Sequence, residues 1–292
     1  MEDSPILDIK DHLAKVPFRI APERAAQLYS WTERESISLN IDLTGRKGIP
    51  PVSVSIDTHT VTATIQFLEV LWSTVRLHYL FYSLYDDAFS EENDEFHFRL
   101  VPQIATAITQ YELAWENTKN STSNNIWVDS LPAPAQNISD KFENGIQELF
   151  LSSFAWVIHH EFAHLRLRHG IALSSRPAAE EKEADLFATD WVVPNESESE
   201  GRVKRILGSL NALLVLLDYD VTNSLDATHP HPATRLDDCI EHLCLDAQSD
   251  IYRYVAIVLQ FKLAYTGYRV TSSGSYKDIY SEFLLMWSRL TN

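Results

Sequence analysis

Between Asn144 and Gly170, the apolar residues Leu151, Phe154, Ile158, Phe162 and Leu165 recur at steps of three and four. That period predicts a helix packed along one side. Val52 to Ile65 alternates and is dense in β-branched residues, with a polar IDTH at its middle, which predicts a hairpin of two short strands. Gln66 to Tyr85 is aromatic and aliphatic and reads as a buried helix, with His78 a hydrogen-bonded core histidine. Helical periods return over Leu100 to Glu116 and Ala178 to Val193, and Ile206 to Leu217 is a core helix. The tyrosine- and aliphatic-rich tail from Asp250 to Asn292 wraps the core. Residues 1 to about 50 form a polar, proline-punctuated lead-in with short helical turns around Pro22 to Trp31. Asp86 to Glu95 reads as a solvated acidic loop, and Asn117 to Gln136 as a boundary or surface loop. The fold class is therefore α+β and predominantly helical, with an N-terminal region over 1–136 and a helical core over 137–292.

Charge narrows the function. Lys and Arg total 24 against 41 Asp and Glu, a formal charge of −17, which repels a phosphate backbone and argues against nucleic acid as a partner. The most apolar run, Ile206 to Leu217, falls well short of the roughly 20 residues that a membrane span needs, so no membrane insertion is expected. No secretory leader pattern opens the sequence. The two cysteines, Cys239 and Cys244, read as one helix at a spacing that keeps their side chains apart, which fits a reducing, cytoplasmic location.

Chemistry concentrates in three segments. His160, Glu161 and His164 stand as HEFAH on the long periodic helix. A separation of four puts both imidazoles on one face, close enough to ligate one zinc ion. Glu161 projects about 100° away, where it can take a proton from a water on the metal. The long form of the motif fails, because Leu167 and Gly170 occupy its glycine and third-histidine positions and His169 falls one residue early. A third ligand is sought in the next helix, where Glu181 and Asp185 share a face, with Glu180 and Glu183 as competitors. The third segment, Thr228 to Leu236, holds His229 and His231 between prolines. Either can donate to the oxygen of a substrate carbonyl, and Arg235 can brace the loop or the acidic ligands.

Together, HEFAH, the Glu181-Lys182-Glu183-Ala184-Asp185 segment and the later His229-Pro230 with Arg235 resemble the gluzincin metallopeptidases, in particular the CAAX-processing and heat-shock zinc peptidases. The resemblance implies a zincin-like core with Glu181 as third zinc ligand, Asp185 supporting a histidine and the later histidine assisting the oxyanion. It covers only about Ser152 to Leu236. The sequence departs from those membrane enzymes in placing Glu181 only seventeen residues after His164, which leaves no room for intervening spans. HEFAH followed this closely by such a segment is similar to the Lit-type phage-exclusion peptidases, which implies a protein substrate in the cytoplasm, a role in phage defence and an activating partner. A zincin scaffold that binds or regulates without catalysis is the alternative.

Overall fold

The computed structural model describes residues 4–42, 52–90, 95–120, 126–127, 140–169, 177–193, 200–222 and 230–291. Short helical turns over residues 5–24 lead into α1 (Ala25–Arg34). The alternating stretch forms the expected hairpin, in which β2 (Val52–Ser55) pairs antiparallel with β3 (Thr60–Thr64). A third strand, β1 (Ser38–Asp42), joins the other edge of β3 in parallel, in a region that the sequence presents as a polar lead-in. Five residues with two apolar positions carry little period of their own; pairing with β3 makes them a strand. From β3 the chain passes directly into α2 (Ile65–Ser83), whose first turn is capped by the Thr64 hydroxyl accepting from the Phe67 amide. His78 lies within α2, its Nδ1 2.9 Å from Asn211 Oδ1.

Part of the acidic stretch is ordered rather than a bare loop. Tyr85–Ala88 makes one helical turn, and β4 (Phe89–Ser90) pairs with β5 (Glu95–Phe96). Aromatic contacts among Phe89, Phe96 and Phe98 tie this ladder to Phe81 of α2. Next comes α3 (Pro102–Asn120), which takes in the first residues of the expected boundary stretch; most of the rest of that stretch lies outside the described residues. The helices α4 (Lys141–Leu167), α5 (Pro177–Val192), α6 (Glu200–Thr222), α7 (Pro232–His242), α8 (Asp250–Tyr265) and α9 (Tyr276–Thr291) follow. Cys239 lies on α7, but Cys244 falls beyond its end in left-handed backbone, so one helix does not hold both; both thiols are free.

α4 is buried on more than the single side its apolar stripe suggests. Phe154, Ile158 and Phe162 pack into a core with α1, α2 and the sheet, whereas Trp156 joins a second core built from α6, α7, α8 and α9. A helix held between two cores is fixed in rotation, which positions whatever it carries. Its crossing with α6 depends on Gly208: a methyl there would meet the Ser152 Cβ at 2.2 Å. The neighbouring Ser153 hydroxyl donates to the Gly208 carbonyl at 2.8 Å. Among the described residues, no helix is long and apolar enough to cross a membrane.

Candidate metal centre

The start and end of α4 are both specified locally. The Asp140 side chain accepts from the Phe142 and Glu143 amides at 2.7 and 3.1 Å, satisfying two of the free N–H groups of the first turn. Shortly after the second histidine of HEFAH the helix stops, because Arg168 adopts a left-handed conformation (φ 57°). Between these limits His160 and His164 lie one turn apart and meet edge to face, their Nε2 atoms 3.1 Å from each other. α5 packs close alongside, helped by the fully buried Ala184 and Ala188, and presents Glu181. One Glu181 carboxylate oxygen lies 3.4 Å from His160 Nε2 and the other 3.4 Å from His164 Nε2. These three residues each offer a donor atom within 4.8 Å of the others, and they are the metal-ligand set found among the described residues.

The set is braced from behind. Asp185, one turn after Glu181, places Oδ1 2.9 Å from His160 Nδ1. Arg235, from the first turn of α7, donates to both Asp185 oxygens at 2.8 and 2.7 Å and reaches Glu181 Oε2 at 3.4 Å. Trp156 stacks on the His160 ring and is itself held by donating to Thr189 Oγ1 at 3.1 Å. Burial disfavours a charged ring at His160, yet the facing carboxylates of Asp185 and Glu181 carry its pKa up to about 9. His164 is pulled down to about 4, first by burial and then by the charge on His160. Burial would raise the carboxyl of Glu181, but His160 and Arg235 hold it at about 2. Asp185 is likewise held low by Arg235 against its burial, whereas burial pushes Glu161 above the usual carboxylate range.

Arg235 and Asp185 are 8% and 1% exposed, so removing one partner leaves a desolvated charge. Arg235→Leu is expected to cost about 3 to 5 kcal/mol in urea unfolding, and adding Asp185→Asn should recover most of that loss. A loss below about 1 kcal/mol would show that the pair does not brace the centre.

Other expected site residues are placed differently. Glu183 is exposed and lies 3.4 Å from His169 Nε2, not with the paired imidazoles. His231 serves as the N-cap of α7: its Nδ1 accepts from the Ala233 amide at 3.2 Å and its Nε2 lies 2.9 Å from Thr291 Oγ1. Both of its ring nitrogens are thus engaged. His229 lies outside the described residues. His169, which the sequence marks only as a misplaced third histidine, is buried, with Nδ1 2.9 Å from His164 Nδ1. Its amide donates to the His164 carbonyl at 3.0 Å. The left-handed turn at Arg168 thus folds it back onto the helix end, and the spacing alone does not signal that reversal.

The Peptidase U49 profile matches residues 61–255, about two thirds of the chain, and includes all of HEFAH, Glu181, Asp185 and Arg235. The chain belongs to the peptidase U49 family. It is also 27% identical over 301 residues to the cell death peptidase of Escherichia coli (strain K12), with 99% of each chain covered. No solved structure matches. For this peptidase U49 member, the clustered His160, His164 and Glu181 form a group able to hold a metal ion.

Proposed function

We propose that this peptidase U49 chain is a zinc-dependent endopeptidase that hydrolyses peptide bonds of a protein substrate. The observation that supports it best is the convergence of His160 Nε2, His164 Nε2 and the Glu181 carboxylate, with Glu161 next to the first ligand on the same rigid helix. Two imidazoles and one carboxylate are the donor set of a catalytic zinc site that keeps a place for water, so the residues present fit the ion. When bound, zinc polarises the scissile carbonyl and acidifies a water molecule.

The residues of this chain supply the rest. Glu161, half-buried and with its carboxyl raised by burial, accepts a proton from the attacking water and delivers it to the departing amine. Asp185 orients the His160 ring through Nδ1, leaving Nε2 for the metal, and Arg235 holds Asp185 and Glu181 in register. For the oxyanion contact we favour His229 over His231, since His231 caps α7 and meets Thr291. The ExxAD-type arrangement of Glu181 and Asp185 supports a gluzincin reading of the centre. The chain's likeness to the cell death peptidase of Escherichia coli (strain K12) agrees with peptidase action, and the resemblance of HEFAH and the acidic segment after it to the Lit-type enzymes extends the proposal to a cytoplasmic protein substrate, a phage-exclusion role and an activating partner.

Elemental analysis of the purified protein should find one zinc per chain. A lysate treated with it, together with candidate activators, should acquire new protein termini that disappear when the zinc is chelated. Stoichiometric zinc with no new termini under any condition would leave a binding scaffold and refute the peptidase reading.

A further inference from the structure

A second feature lies at the end of α4 that carries HEFAH. Leu165 lies one turn after Glu161 on the same face of the helix, and it forms part of the wall of a cavity of about 610 Å³. Arg34, Arg166 and Arg168 also line this cavity, and Glu35 is the single carboxylate among its described lining residues. Glu35 is already paired with Arg34, at 3.2 Å. The described wall is therefore net positive in a chain whose formal charge is −17.

Arg166 is the built part of this wall. Its guanidinium is caged by Trp31, Phe187 and Trp191, at 5.6, 5.4 and 5.6 Å from their ring centroids. The cage holds the group rigidly, yet Nη1 is buried with no acceptor among the described residues. Held in this way, the guanidinium keeps its charge fixed beside the cavity, and a carboxylate is the group a guanidinium charge matches best. Arg168 has no described ion-pair partner either, and it enters the wall from the left-handed turn that ends α4. The remaining wall includes Trp31, Ile37 and Ile56, apolar surface that a free phosphate or a lone carboxylate would leave uncovered.

We propose that this cavity receives an aspartate or glutamate side chain of the polypeptide substrate, together with an apolar neighbour, and so directs cleavage to segments flanked by acidic residues. The inference rests on the peptidase reading for the word substrate, but its test reads binding alone. Fluorescein-labelled peptides, one with an Asp/Glu tract and one with Asn/Gln at the same positions, are titrated into the full-length Glu161→Gln protein loaded with zinc, and anisotropy is followed. The acidic peptide should bind about 10-fold tighter at low salt, with the preference shrinking as salt rises. The double variant R34E/R168E changes two exposed side chains and should remove that preference without changing the melting temperature.

Equal affinity for the two peptides, binding of neither, or an acidic preference that survives in R34E/R168E would each overturn the proposal. So would displacement of the acidic peptide by inorganic phosphate or free glutamate at concentrations matching the peptide's own Kd, which would mark a small-anion site. Because no turnover is measured, these outcomes are independent of whether Glu161 is the base.

Discussion

Glu161→Gln protein is expected to retain its zinc and lose about 10²- to 10⁴-fold in kcat/KM, the range that a positioned general base contributes. The substitution changes one oxygen to an amide at a half-buried position on a helix locked between two cores, so the fold and the ligand set should persist. Glutamine can still accept a hydrogen bond from water but cannot take its proton, and the leaving amine would depart unprotonated. Zinc content measured beside the rate separates this outcome from a trivial loss of metal. Wild-type turnover in the zinc-loaded variant would remove Glu161 from the mechanism.

Glu181→Ala should release the metal itself. Among the described residues, Glu181 is the one carboxylate that reaches both paired imidazoles, with a different oxygen directed to each. Without it only His160 and His164 are left to hold the ion, and zinc affinity should fall by well over the roughly 10- to 100-fold typical of losing a supporting contact alone. Glu180→Ala and Glu183→Ala are the controls: Glu183 is exposed and faces His169, so zinc retained after dialysis should match wild type in both. A circular dichroism spectrum distinguishes metal loss from unfolding, which matters because Glu181 also approaches Arg235 at 3.4 Å. If Glu181→Ala kept stoichiometric zinc while Glu183→Ala lost it, the third ligand would have to be reassigned.

How much of this was legible without coordinates differs by element. The helix bearing HEFAH and the hairpin over 52–64 follow from local periods, the helix bearing Glu181 was expected over Ala178 to Val193, and each forms as expected. β1 was not legible, because a short polar strand is stabilised by a partner some twenty residues away rather than by its own pattern. The burial of α4 on both sides was hidden for a similar reason. Ser152, Ser153 and Ala155 look like a polar or neutral face in sequence, but small residues are what a close helix crossing at Gly208 requires.

The sequence by itself determined the chemistry on offer: two imidazoles one helical turn apart, a glutamate beside the first, and an acid pair at the same spacing downstream. Those relations lie within single helices, whose geometry is set by 3.6 residues per turn whatever surrounds them. Only the tertiary structure decided which of three neighbouring glutamates meets the imidazoles, that Arg235 grips Asp185, that His231 is spent on a helix cap, and that three arginines gather at the end of α4. Each of these depends on the rotation and distance between separate elements, which are fixed by packing of the two cores and leave no repeating signal along the chain.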